Sequence, residues 1–427
     1  MKRLSSLLVV GLIFLAAAGA VSAQTIELTF WTHTDDNRTM IEERYIEEFE
    51  AMYPNIKIKR VANEASKMGD LILTAFSAQN APDIFNLPIE QEYAYMVYQR
   101  VAPLDYEAIG YENAEDLKSD FLEGTFDPIS LDGVIYGLPL EVTNWSIYMN
   151  ERVFRDAGLD PDQDWPRTWE DMADVAEKLT LRDGEVVLRR GFDFRYPYYL
   201  VSVLPMVEQL GGRLVSADGK TAIVNEEAWI QVLKYFQDWG PHGRNLGSPT
   251  YPAARKVWNK DNNDLGMCLS GYYQQARLKI DNPEFHDSGE WRVVPFPVFE
   301  NAVSDVRASY YGHYYLVNAQ TPKEKQKWAW KFIAYMLDHP WEYLQEVNIL
   351  IPRNDLLEDQ DFTELPYMDV FMSDMEKSHA VFLHENGYQF ERFIGDAIDG
   401  VMLAGESAEG ALATLKSRIQ EVLDDIY

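Results

Sequence analysis

Cysteine is almost missing from this chain: Cys268 is the single one among 427 residues. An internal disulfide is therefore excluded and packing alone must stabilise the fold. The surrounding Leu265-Gly266-Met267-Cys268-Leu269 is apolar, a setting for a small buried hydrophobe rather than a reactive thiol. Basic residues are scarce beside acidic ones, 38 against 69, giving a formal charge of −31. Such a surface repels phosphate backbones and anionic lipid, which disfavours nucleic-acid and membrane-surface partners and suits a neutral or cationic ligand better than a polyanion. H-E-x-x-H, G-x-S-x-G and a phosphate-cradling glycine loop are absent, and the seven histidines are scattered. No metal site, no cofactor and no enzymatic activity are expected. Short repeats and low-complexity tracts are lacking too.

Beyond residue 23 no apolar run reaches the length of a membrane span. Residues 1–23 themselves read as a cleaved signal peptide: Lys2 and Arg3, an uncharged apolar stretch from Leu7 to Ala18, then Val21-Ser22-Ala23. Cleavage is expected before Gln24. The absence of a cysteine there argues against a lipoprotein, leaving a soluble periplasmic protein. Loss of Lys2 and Arg3 takes the charge from −31 to −33. The remaining length exceeds what one hydrophobic core serves, so two domains are expected.

Ile26 to Trp31 alternates apolar and polar residues as a half-buried strand does. Ile41, Tyr45, Phe49 and Met52 then share a helical face, with Glu42, Glu43, Glu47 and Glu50 mostly outside, and Pro54 ends that helix before a second strand at Ile56, Ile58 and Val61. This is a βαβ opening. A helix over about 68–79 leads to a short strand, Ala81 to Phe85, and extended segments are expected over Tyr136 to Val142 and Trp145 to Met149. Thr168 with Asp171 resembles a capping box. Further helices are expected around Glu226 to Trp239, Lys323 to Leu337 and Ala408 to Ile426, the last with a stripe of Leu412, Leu415, Ile419, Val422 and Ile426. Strands alternating with helices give an α/β architecture whose ligands sit at the carboxyl ends of strands.

Several segments, in this order and spacing, resemble a known family: Leu28-Thr29-Phe30-Trp31, Tyr53-Pro54-Asn55-Ile56, Ala81-Pro82-Asp83-Ile84, the G-x-x-Y-G-x-P pattern of Gly133 to Pro139, Tyr148-Met149-Asn150, Pro166 to Glu170 and Ala329 to Ile333. The family is the extracellular solute-binding proteins of ABC transporters, family 1, the carbohydrate type that includes maltose-binding protein. The resemblance implies a type II periplasmic-binding-protein-like fold, with two α/β lobes joined by hinge crossings. The lobes are expected at residues 24–140 with 308–350 and at 141–307 with 351–427. It implies a monomer that captures a sugar between the lobes and delivers it to inner-membrane permease subunits.

Sugar recognition needs flat aromatic faces and fixed polar groups in a concave site. Trp31, His33, Asp35 and Asp36 follow the first strand, where the family commonly places ligand contacts; a helix N-cap is an equal rival for Asp35. Glu90 and Gln91 fall where the family has polar sugar contacts, whereas Asp83 has a structural reading of at least equal weight. Glu141, Asn144 and Trp145 lie beside the first crossing, with Thr143 where the family can place a carboxylate. Tyr273 stands for a stacking aromatic, and Tyr272 has core packing as its rival. Tyr310, Tyr311 and His313 lie near the second crossing; alternation allows no more than two of Tyr310, Tyr311, Tyr314 and Tyr315 to face the cleft. Arg353 and the Tyr388 to Phe393 segment are weaker candidates. Loss of stacking in Trp31→Ala or Tyr273→Ala is expected to weaken binding by about 1 to 3 kcal/mol. Ferric iron held by adjacent tyrosines is the alternative within the same architecture, and a secreted glycoside hydrolase with two carboxylates is the alternative of another class.

Overall fold

A computed structural model describes residues 25–184, 186–194, 199–246, 254–259 and 265–426. Residues 1–23, expected to form a signal peptide, lie outside the described residues. Strand β1 (Ile26–His33), helix α1 (Asp36–Met52) and strand β2 (Ile56–Asn63) form the expected βαβ unit, with β1 and β2 parallel in register from Ile26 opposite Ile56 to His33 opposite Asn63. Ile41, Tyr45 and Phe49 are buried as their spacing requires, but Met52, at the end of the helix, is exposed. Glu42 departs from the pattern in the opposite sense: it is 0% exposed, because Arg38 and Arg60 both use its carboxylate.

Helix α2 (Ala65–Ser77) and strand β3 (Ile84–Pro88) follow. The strand begins three residues later than expected because Asp83 is tied to β1, accepting from the amide of Thr29 at 2.8 Å and its hydroxyl at 3.0 Å. Asp83 is thus structural. Helix α3 (Ile89–Val97) starts directly at the end of β3, and strand β4 (Gly137–Thr143) comes later in the same sheet.

After Asn144 and Trp145 the chain enters the second sheet as β5 (Ser146–Asn150). Helix α4 (Trp169–Leu179) opens with the expected capping box, Thr168 Oγ1 accepting from the Asp171 amide at 3.0 Å and the Asp171 carboxylate from the Thr168 amide at 3.2 Å. Strands β6 (Leu181–Asp183) and β7 (Val186–Asp193), helix α5 (Glu226–Trp239), strand β8 (Leu265–Ser270), helix α6 (Gln274–Asp281) and strand β9 (Trp291–Val294) complete that sheet, ordered β9-β5-β8-β7-β6. Cys268 is buried in β8.

Strand β10 (Tyr311–Val317) returns to the first sheet and inserts antiparallel between β3 and β4, giving the order β2-β1-β3-β10-β4. Helix α7 (Lys323–Leu337) packs on α1, and α8 (Gly387–Met402) and α9 (Ala408–Ile426) pack on each other and on α5. In α9 Leu412, Leu415 and Ile419 are buried, but the stripe continues through Leu423 while Ile426 is exposed, as the 3.6-residue period drifts around the helix.

Candidate functional site

The strand directions fix where side chains converge. Strands β1, β3 and β4 end at the same edge of the first sheet, and antiparallel β10 begins there: Tyr311 faces Thr143, and His313 faces both Glu141 and Pro88. Side chains from that edge meet helix α6 of the second lobe around a chamber of about 120 Å³. Its walls include His33, Asp35, Arg38, Asn86, Glu141, Tyr273, Arg277, Tyr311 and His313, with Met68, Leu87, Val347 and Ile349 as apolar surface.

Arg38 organises the polar floor. Its Nε donates to Glu42 at 2.6 Å, its Nη2 to the Asn86 carbonyl at 2.9 Å and the Tyr315 hydroxyl at 3.1 Å, and its Nη1 to Nδ1 of His33 at 3.3 Å. Because a guanidinium only donates, Asn86 must present its oxygen to Arg38, and its amide nitrogen then donates to Nδ1 of His313 at 3.3 Å. Both imidazoles consequently carry their proton on Nε2. Burial, then Arg38, then His313 hold the pKa of His33 well below its ordinary value. Burial, Arg38 and Arg277 bring that of His313 to about 3. Both are neutral at pH 7.

Asp35 occupies the N-cap position of α1 without capping it. Its carboxylate instead meets Arg277 of α6, whose Nε donates at 2.9 Å and whose Nη2 makes a second, shorter contact. The Arg277 guanidinium lies 4.4 Å over the Tyr273 ring. Glu141 differs from these paired groups: its carboxyl is buried and has no hydrogen-bond partner among the described residues. Burial pushes its pKa up to about 7, against the opposing pull of Arg277 and Arg38.

Of the residues singled out in the sequence, the fold brings together His33, Asp35, Glu141, Tyr273, Tyr311 and His313. It places the others elsewhere. Trp31 packs on the core of the first lobe. The side chain of Asp36 lies outside those described. Asn144 is buried in the crossing, donating to the Phe371 carbonyl at 3.0 Å, and Trp145 is wholly buried with its indole N–H donating to the Tyr311 hydroxyl at 3.3 Å. Tyr310 bridges to Ala380 and lines a separate groove, so of the four tyrosines only Tyr311 reaches the chamber. Tyr272 sits edge-on to Phe371 at 5.6 Å in an apolar cluster, not beside Tyr273. Glu90 is buried at the start of α3 outside the chamber lining. Arg353 pairs with Asp355.

Sequence reasoning missed Arg38, Asn86 and Arg277. Each had a signal: Arg38 stands four residues before Glu42 on the face that carries Ile41 and Tyr45, Asn86 is the polar residue within the apolar strand β3, and Arg277 lies one helical turn beyond Tyr273.

Residues 37–342 match the family model of the bacterial extracellular solute-binding proteins. The chain belongs to that family. It is 23% identical over 351 residues to the diacetylchitobiose binding protein DasA of Streptomyces coelicolor, covering 80% of this chain and 76% of that protein. It is 24% identical over 218 residues to the arabinooligosaccharide-binding protein of Bacillus subtilis, covering 50% and 47%. The fold is similar to that of an ABC transporter solute-binding protein of Thermotoga lettingae bound with α-D-tagatose, with a TM-score of 0.81, 18% identity, and 93% of this chain and 99% of the other covered. Both sheets thus belong to a type II periplasmic-binding-protein fold, and the family consists of binding proteins rather than enzymes.

Proposed function

We propose that this protein is the solute-capturing component of an ABC importer, and that its guest is an uncharged, polyhydroxylated molecule of the carbohydrate class bound between the lobes. The electrostatic balance of the chamber carries this reading. Arg38 and Arg60 share Glu42, Arg60 also approaches Glu43 at 3.8 Å, and Arg277 holds Asp35, so each cation has a carboxylate of its own surroundings. With both histidines neutral, the site offers N–H donors, the Glu141 carboxyl as an unclaimed acceptor, and aromatic surface from Tyr273 and Tyr311. Those are the complements of hydroxyls and C–H faces, not of a net charge. Tyr272 and Tyr310 point away from the chamber, which weighs against iron ligation by adjacent tyrosines.

The signal sequence and the family support a periplasmic location, a monomeric state and handover to permease subunits of the inner membrane. We place the lobes at the expected cuts, 24–140 with 308–350 and 141–307 with 351–427; the passage from β4 in the first sheet to β5 in the second by way of Asn144 and Trp145 supports the first of them.

Thermal-shift screening against mono- and oligosaccharides, with ferric iron and polyamines included, tests the reading, because a ligand that binds only the folded form adds about 2.7 kcal/mol of stability at a hundred times its Kd. A rise in Tm with a carbohydrate that is recovered chemically intact is the expected result. A rise with iron alone, or cleavage of the guest, overturns it.

A further inference from the structure

Two buried carboxyl groups come together where the lobes touch. Glu90 stands in the first turn of α3, which continues β3 of the first sheet. Glu391 lies one turn into α8, a helix that packs on α5, whose Trp239 in turn lies 5.5 Å from Phe192 of β7 in the second sheet. Helices α3 and α8 are in contact: a methyl group added at Gly387, the first residue of α8, would lie 3.4 Å from the Glu90 carbonyl oxygen. Glu90 is 2% exposed and Glu391 6%, and the charge of the one acts on the other.

Among the described residues no cation pairs with either. Glu391 Oε1 accepts from the Leu200 amide of the helix Tyr199–Gln209 at 3.4 Å, and Oε2 of Glu90 has no hydrogen-bond partner among the described residues. The titratable groups on the surrounding elements are acids and phenols. Glu92 lies beside Glu90 in α3, with Tyr314 of β10 against it, and Asp70 of α2 acts on Tyr95 of α3 and Tyr388 of α8. Tyr199 lies near Glu391, with Asp396 and Asp399 further along α8. Arg392, next in α8, is exposed and acts on Tyr388, while Arg38 and Arg277 of the chamber are held by Glu42 and Asp35. Burial therefore raises the pKa of both carboxyls, that of Glu90 up to about 7, and the Glu90 charge adds to the effect on Glu391.

We propose that Glu90 and Glu391 form a proton-operated clasp between the lobes: with a proton held by the pair the lobes stay together, and with both carboxyls ionised they part. Two carboxylates without a cation repel across a dry contact, and separation gives both to water, where each ionises near the ordinary value of 4.5. The joined arrangement thus binds the proton more tightly. It is favoured in full below about pH 4.5, and the joined-to-parted ratio falls by up to about tenfold per pH unit for each proton as pH rises to about 7. The clasp works in the guest-free chain and is independent of the guest's chemistry.

Small-angle scattering of the guest-free full chain at pH 5 and pH 8 tests it. Glu141→Gln is the background for every sample, so that the chamber carboxyl, whose pKa is also about 7, does not titrate. In that background the radius of gyration is expected to be larger at pH 8 than at pH 5, and to return when the pH is lowered. Adding Glu90→Gln or Glu391→Gln, each of which gives the remaining carboxyl an amide donor as neighbour, is expected to reduce the difference, and adding both to abolish it. A radius that does not change with pH overturns the clasp, as does a change of equal size in the chain lacking both carboxyls. Expansion accompanied by loss of helical circular dichroism also overturns it, because local melting would then be the cause.

Discussion

Arg277 of the second lobe grips the carboxylate of Asp35 of the first, its Nε donating at 2.9 Å in the wall of the chamber while its guanidinium covers the ring of Tyr273. Both side chains are largely withdrawn from water. The ion pair joins the two lobes across the chamber, so it is expected to resist their separation.

Arg277→Met is expected to release that contact. Truncating one member of a buried pair leaves the other charge uncompensated, and opening of the cleft rehydrates Asp35. Small-angle scattering of the guest-free variant should give a larger radius of gyration than the parent chain. An unchanged radius would show that other contacts hold the lobes together.

Glu141 makes stability depend on pH. Its carboxyl is held by burial at a pKa of about 7 in the folded chain against a reference value of 4.5. The folded form therefore binds the proton more tightly, and the group's contribution is fully present below about pH 4.5 and is lost as pH rises to about 7. Glu141→Gln abolishes this loss. The variant should match the parent at pH 4.5 and exceed it at pH 8, by on the order of 2 to 3 kcal/mol at most. Thermal unfolding at the two pH values measures it, and the same difference at both would remove Glu141 as the cause.

The buried Glu42 carboxylate serves Arg38 at 2.6 Å, Arg60 at 2.8 Å and the Tyr315 hydroxyl at 2.7 Å. Glu42→Ala strands two guanidinium groups and is expected to cost about 3 to 5 kcal/mol. Urea unfolding should show a lower midpoint with little change in slope.

Trp31→Ala and Tyr273→Ala now separate. Trp31 packs outside the chamber and Tyr273 lines it. Guest affinity should fall by about 1 to 3 kcal/mol in Tyr273→Ala and stay unchanged in Trp31→Ala. Calorimetry on both variants decides, and equal losses would place Trp31 in the site after all.

The local signals in the sequence are strong where one segment decides its own structure. The alternation of Ile26 to Trp31, the Thr168 and Asp171 cap, and the stripe from Leu412 to Ile419 each specify an element without outside help. The site is less legible because it joins segments far apart in the chain. Nothing near Asp35 announces that its partner is Arg277, and nothing near Glu42 announces a second cation eighteen residues on at Arg60. Trp145 and Asn144 illustrate the converse error: both belong to a crossing, where proximity to the cleft in sequence coincides with burial beneath it.

The return of β10 between β3 and β4 has a consequence for biogenesis. Until residues 311–317 arrive, β3 and β4 each keep an unpaired edge, a template for pairing with another chain. The amino-terminal half cannot finish its sheet while the remainder is still in transit, and closing so long a loop is slow. Synthesis must therefore reach nearly three-quarters of the chain before this sheet can be completed.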